Sequence, residues 1–410
     1  MNNCEVCIVG AGPGGCSTAL FLAKQGIPSL LIDKATFPRD KICGDGISGW
    51  VLNILNKLDT QINYKLAATD YQVPSWGARF VAPNHRVLDV PFKIEDAVND
   101  NLPAGFVSKR IDFDNFLVEQ AKQNPHINFI DNTEIKHFET TKDFALLKDT
   151  SGNTYKTQLV VFANGAYSSF SKELAGIHME KRHYIAGIRS YYDGVGGIHE
   201  KNYIELHFLK NVLPGYFWIF PLPNGQANVG LGMRSDKISK KKVNLKKELY
   251  SLIHTHPTLK ERFKNAKEID PPKGFGLPLG SKKRSISGER FMLVGDAASL
   301  IDPFTGEGIG NAMASGMYAA QHAEKCLQAN SFSASYMKAY DQYTYGKIGS
   351  ELKLSKLMQD LLNFPWLFSL IVNKAINNQT LRETMSCMLT DMEVRAQLKK
   401  PSFYFKVLFG

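Results

Sequence analysis

The chain has 410 residues, of which 44% are hydrophobic and 21% charged, and a net charge of +10. That length carries two or three domains with full cores, the balance is that of a globular protein, and six cysteines are too few for a disulfide scaffold. The start MNNCEVCIVG lacks a basic region followed by an apolar stretch, so a reducing, cytoplasmic setting is expected, and the basic surface does not say what it meets.

Residues 5 to 33 carry the first complete signal. A strand EVCIV runs into Gly10-Ala-Gly12-Pro13-Gly-Gly15, a helix from about Ser17 to Gln25 closed by Gly26 follows, and a strand SLLI ends at Asp33. The first glycine permits the tight turn, the second lets backbone approach a pyrophosphate, and the third lets helix and strand pack closely. The helix N-terminus then faces phosphate, and Asp33 is placed for a ribose hydroxyl. Cys4 and Cys7 form a CxxC inside the strand with no second CxxC, which reads as two core residues, and no metal site is expected.

The stretch FPRDKICGDGIS, from Phe37 to Ser48, is neither helix nor strand, because Pro and Gly punctuate it and its charges need water or a partner. On its own it leaves Cys43 open as a nucleophile, a metal ligand or a residue pressed against something flat. Arg110 begins RIDFDNFL, and LVVFANGAYS carries a strand into a polar turn at Asn164. Residues 216 to 232 read YFWIFPLPNGQANVGLG, where Asn224-Gly225 is a hairpin signal between two strands. Tyr216, Trp218 and Phe220, spaced by two, therefore share one sheet face, either as core or as pocket. His254 and His256, two apart, cannot share a helix face as ligands and read as surface residues.

Lysines cluster at Lys240, Lys241, Lys242, Lys246 and Lys247, and again at Lys282, Lys283 and Arg284. They lack aromatic interleaving and read as a solvated face, with anionic headgroups the next option and nucleic acid not expected. From Phe291 the chain reads FMLVGDAASLIDPFTGEGIGNAMASG: a buried strand, Gly295-Asp296, a loop with Pro303, and a glycine-rich entry through Gly306, Gly308 and Ile309 into a long helix. No second fingerprint follows, so a nicotinamide cofactor has no domain of its own. Residues 331 to 410 read as mostly helical, with an apolar run from Pro365 to Val372 far short of the ~20 residues a membrane span needs.

Taken together, these segments resemble FAD enzymes of the glutathione-reductase-like, hydroxylase type. There the GD motif places an Asp on the flavin ribitol, a helix N-terminus lies under the pyrimidine ring, and the Arg of RxxFDxxL lies near the FAD phosphates or ribose. Carried over, this implies Asp296, Gly306, Gly308, Ile309 and Arg110 as FAD-binding, beside Gly10, Gly12, Pro13, Gly15, Asp33, Lys34 and Arg39. One departure stands out: Asn164 occupies the place of the Asp in the family's ADG. YxWxFP followed by GxG, with PRDKICGDGIS matching PxxxxCGxGxS, resembles the geranylgeranyl reductase family. Flavin halogenases instead favour WxWxIP.

The resemblance implies that the sheet roofs the flavin and lines an apolar cavity touched by Tyr216 and Trp218. It also implies that the loop passes the isoalloxazine, with Gly44 and Gly46 admitting the cofactor and Cys43 beside it, either packed there or carrying a proton or redox role. The expected fold class is α/β. An FAD-binding, Rossmann-like domain of the glutathione-reductase type at about 1 to 60, 100 to 180 and 275 to 330 is interleaved with a β-sheet substrate domain at 61 to 99 and 181 to 274, followed by C-terminal helices at 331 to 410. The expected function is an FAD-dependent oxidoreductase that reduces C=C bonds of a prenyl lipid chain, using NAD(P)H or another electron donor. It would be a monomer in the cytoplasm, with peripheral membrane contact. The alternatives are a monooxygenase or halogenase acting through a flavin hydroperoxide, and a non-catalytic flavin-binding protein.

Overall fold

A computed structural model describes residues 2–92, 102–379 and 381–382. By contacts the chain divides into two compact units, one of residues 1–40, 110–180 and 278–352, the other of residues 41–109, 181–277 and 353–410.

The first unit is built on a parallel sheet. Its order is Phe291–Leu293, Thr154–Phe162, Asn2–Val9, Ser29–Ile32 and Ile127–Ile130, all parallel, with Ser287–Gly288 antiparallel at one edge. The second half of the central strand, Val6 to Val9, is an unbroken apolar run because both sheet faces are covered there, and Val6, Cys7 and Ile8 have no exposed surface. The first helix spans Pro13–Lys24, starting earlier than the sequence indicates because Pro13 has the right φ and its missing N–H is no loss at that position. It crosses the long helix Ile309–Ala329 at small residues, where a Cβ on Gly316 would lie 2.4 Å from the Gly14 carbonyl oxygen.

The second unit is a seven-stranded sheet in the order Lys267–Pro278, Tyr184–Asp193, Gln226–Arg234, Gly215–Pro221, Ile204–His207, Gly77–Val81 and Val87–Pro91. Asn224 and Gly225 both have positive φ at the expected hairpin, and the Leu222 amide donates to the Gln226 carbonyl. One face packs on the helices Leu245–Thr255 and Pro257–Phe263 through Phe217, Ile219, Val229, Leu231, Leu249 and Leu259. Residues 41–60, set with the cofactor domain on sequence grounds, fall in this unit. Their short strand Gly46–Ile47 joins Gln72–Pro74 and Phe106–Ser108 in a three-stranded sheet, where its backbone groups find their partners.

Candidate functional site

In the first unit the fingerprint glycines are there for backbone contact. Gly10 has φ +107°, and a Cβ on it would lie 2.5 Å from the Ala163 carbonyl oxygen, while one on Gly15 would lie 1.8 Å from the Gly10 oxygen. Gly12 caps the helix with no side-chain hydrogen bond of its own, leaving the first turn's amides directed at whatever lies before it. Asp33 is buried, and its Oδ2 accepts from the Ala11 amide at 2.6 Å while Oδ1 accepts from Ala35. It thereby ties the glycine turn to the end of the second strand. The neighbouring Lys34 is exposed.

Arg110 opens its helix buried at 3% exposure and grips Asp114 through two hydrogen bonds of 2.6 and 2.8 Å. Arg39 Nη1 donates to the same carboxylate at 2.6 Å, and its Nη2 would lie 3.6 Å from a Cβ on Gly12. Two guanidiniums on one carboxylate leave a positive surplus beside the uncapped helix end, and a pyrophosphate carries the complementary charge. Asn164 adjoins Gly10, and its buried Oδ1 has no protein partner among the described residues.

The GD segment is a turn, Gly295–Ala298, that needs positive φ at Gly295, where a Cβ would lie 2.8 Å from Ala312. Gly308 is the N-cap of the long helix, and a Cβ on it would lie 3.6 Å from Asp296 Oδ1. Asp302 accepts from the Phe304 and Thr305 amides, and Gly306, at φ +73°, donates back to the Asp302 carbonyl. The Glu307 carboxylate accepts from the Gly310 amide at 2.6 Å, so one first-turn donor already faces a protein anion. Ile309 is buried. Residues that close on one another in this way form a cradle with bare backbone at Gly10, Gly12 and Gly308, a cationic pair and an unpaired amide oxygen. Those features fit a dinucleotide.

The second unit holds the aromatic stripe. Phe217 and Ile219 point into the core with no exposed surface, whereas Tyr216 and Trp218 are half-buried on the opposite face. Register across the three central strands sets that face out in rows: Phe220, Asn228 and Tyr191, then Trp218, Gly230 and Arg189, then Tyr216, Gly232 and Gly187. The GxG after the aromatic motif therefore has a reason. A Cβ on Gly230 would lie 2.3 Å from the Trp218 indole and 2.2 Å from the Ile188 carbonyl oxygen. Beside Tyr216, Gly232 and Gly187 leave a strip of bare backbone.

The loop glycines meet the same aromatics. A Cβ on Gly44 would lie 3.2 Å, and one on Gly46 3.4 Å, from the Phe220 ring. Both positions thus make room for Phe220 within this unit, a reason the sequence motif did not disclose. Cys43 is half-buried, and its carbonyl accepts from Asn228 Nδ2 at 2.8 Å. Asn228, Asp45, Tyr191 and Arg189 escaped the sequence reading, although a lone Asn among the apolar residues of QANVGLG is itself a signal, since strands bury amides only with partners. His254 is exposed, whereas His256 is half-buried, its ring 5.3 Å from that of His85, so only one of the two is a surface residue. No group of three or more metal-ligating side chains occurs among the described residues.

The family model described as FAD binding domain matches residues 3–341. A digeranylgeranylglycerophospholipid reductase of Thermoplasma acidophilum is 30% identical over 349 residues, which are 83% of this chain and 83% of that protein. Among solved structures, a geranylgeranyl bacteriochlorophyll reductase-like protein of the same organism is similar with a TM-score of 0.80 and 25% identity, covering 97% of this chain and 99% of that one. A flavin-dependent brominase is similar with a TM-score of 0.76 at 20% identity, covering 99% and 98%, which establishes shared fold alone.

Proposed function

The chain belongs to the FAD-binding domain family and is an FAD-dependent oxidoreductase of geranylgeranyl reductase type, and from that premise we propose that it saturates C=C bonds in the prenyl chains of a lipid. The observation that carries this reading is the placement of Tyr216 and Trp218 on the sheet face turned away from the core, beside the bare strip at Gly232 and Gly187. The ring faces of Tyr216 and Trp218 and the glycine backbone beside them offer apolar contact area. A prenyl chain gains ~0.8 kcal/mol per buried CH2-sized group on such a surface.

In this reading Gly10, Gly12, Pro13, Gly15, Arg39 and Arg110 hold the FAD pyrophosphate, Asp33 and Lys34 border the adenosine ribose, and Asp296, Gly306, Gly308 and Ile309 hold the ribitol and flavin edge. Reduced FAD, when bound, supplies a hydride from its N5. The chain's own task is to exclude water from the alkene and to hold a proton near it, because an isolated alkene accepts hydride only as protonation proceeds. Cys43 stays a candidate for that neighbourhood. NAD(P)H or another donor would visit transiently.

Membrane approach is the finer part of the proposal. The helix Pro365–Asn377 buries Phe368, Val372 and Ala375 and leaves Trp366 and Leu370 exposed, with Leu357 and Phe364 exposed nearby in the chain. Among the described residues no helix is long and apolar enough to cross a membrane. The basic tail Lys399 to Gly410 lies outside the described residues.

Anaerobic turnover tests the proposal. The FAD-loaded enzyme, chemically reduced and given a geranylgeranyl-bearing glycerophospholipid, should yield products that gain one hydrogen pair per reduced bond by mass spectrometry. A product that forms only with oxygen and carries an oxygen or halogen atom would instead establish the hydroperoxide chemistry.

A further inference from the structure

The face that carries Trp218 is joined to the Cys43–Gly46 loop by one buried amide. Asn228 has no exposed surface and makes three hydrogen bonds. Its Oδ1 accepts from Trp218 Nε1 at 2.8 Å, and its Nδ2 donates to the Cys43 carbonyl at 2.8 Å and to Asp45 Oδ2 at 2.7 Å. The same Asp45 oxygen accepts from the Tyr191 hydroxyl at 2.8 Å. Asp45 is also fully buried, at φ +69°, and its carbonyl accepts from the Ser108 amide at 2.9 Å. Such a φ is uncommon outside glycine and is tolerated by Asp when its side chain is anchored.

Every polar atom of the amide is used in the direction its chemistry demands. Only a group with one acceptor and two donors, held in one plane, satisfies an indole N–H, a carbonyl and a carboxylate together. We propose that Asn228 is a positioning residue. Through Trp218 on one side and Cys43 and Asp45 on the other, it fixes the indole and the glycine loop in a single arrangement and so sets how the apolar substrate lies. This rests on the prenyl-reductase reading for the substrate, but the clamp itself does not.

The charge environment supplies a test that a merely structural residue would not pass. In Asn228→Asp an ionised carboxylate would point an oxygen at the Cys43 carbonyl and at Asp45, both acceptors, whereas the protonated acid has one O–H and restores only one of the two donations. Among the described residues, the other charged or titratable groups around it include the Cys43 thiol, Tyr191, the Arg189 guanidinium 4.1 Å from the Tyr191 ring and itself paired with Asp270, and Lys109 Nζ 4.9 Å from that ring. Asp45 is the nearest charge and is of like sign, so the new carboxyl should titrate above the usual range.

Hydrogen exchange of the peptide covering residues 41–48 in the FAD-loaded enzyme reads the clamp without any substrate. Relative to the parent at each pH, Asn228→Asp should exchange on the order of tenfold faster at pH 8 and recover part of the way toward the parent rate at pH 5, as expected for two buried hydrogen bonds lost and one regained. Trp218→Phe, which keeps the ring and deletes the Nε1 donor, should give a smaller acceleration with no pH dependence, and it serves if Asn228→Asp does not fold. Parent-like exchange at both pH values in Asn228→Asp, or no change in Trp218→Phe, would overturn the clamp. With exchange as expected, kcat/KM for a geranylgeranyl phospholipid should follow the same pH pattern. If the parent itself fails to turn that lipid over, the clamp stands and the substrate reading falls.

Discussion

The glycine turn of the first unit and the Cys43 loop of the second use glycine for opposite purposes. In the cofactor unit, a side chain at Gly10 or Gly15 would strike main chain, 2.5 Å from Ala163 oxygen in one case and 1.8 Å from Gly10 oxygen in the other. In the aromatic unit, Gly44 and Gly46 make way for the Phe220 ring, Gly77 for Tyr203 and Gly276 for Tyr184. Main chain in a turn or strand has no way to retreat, whereas a ring has rotamers. The first kind of glycine is therefore fixed by local geometry, and the second is negotiable with its neighbour.

Gly15→Ala is the severest way to test that contrast. It should cost on the order of 4 kcal/mol and abolish FAD retention, and no second-site change at Ala163 should restore it, as thermal melts and flavin absorbance would reveal. Retention of flavin by a stable Gly15→Ala protein would end the distinction.

Gly44→Ala should be milder, at about 1–2 kcal/mol, because the atoms nearest the new methyl belong to the Phe220 ring and the indole edge. Adding Phe220→Leu should return much of the lost stability, and the double-mutant cycle measures that coupling directly. Additive losses would place the strain in the backbone and merge the two classes of glycine.

A further contrast concerns buried polar groups, where the units also differ. Asn228 in the aromatic unit has all its partners, whereas His322 in the cofactor unit is buried with no partner for Nε2 among the described residues, and its ring lies 5.8 Å from that of Tyr336. Burial pushes the His322 imidazolium pKa down from 6.5 to about 4. The neutral ring therefore contributes stability that is complete above pH 6.5 and is lost as pH falls from there to about 4. His322→Phe should flatten this part of the stability–pH curve, measured by denaturant melts at pH 7 and 4.5. An unchanged slope would assign the acid sensitivity elsewhere.

Legibility followed distance along the chain. The turn, helix and strand around Gly10 to Asp33 are readable because the bonds that tie the turn to the second strand, Gly10 to Ile32 and Ala11 to Asp33, lie within one βαβ unit, and the hairpin at Asn224-Gly225 because positive φ at two successive residues is a local demand. Arg110 was recognisable from its motif, but its sharing of Asp114 with Arg39 was not, since the two guanidiniums are brought together only by the fold. The loop at Cys43 was the hardest segment. Its glycines were assigned to the cofactor on resemblance, and their contact with Phe220 depends on a strand far along the sequence.

By itself, the sequence determined the βαβ unit with its glycine turn, the hairpin and the pairing of Tyr216, Trp218 and Phe220 on one face, because periodicity and glycine spacing act over a few residues. Tertiary structure alone decided which face of that strand is core. Helices Leu245–Thr255 and Pro257–Phe263 cover Phe217 and Ile219, and that choice depends on which surface the rest of the chain buries. It also decided that Asn228 meets Cys43 and Asp45 across separations of 185 and 183 residues, since a hydrogen bond needs atoms within about 3 Å and only the packed sheet brings them there.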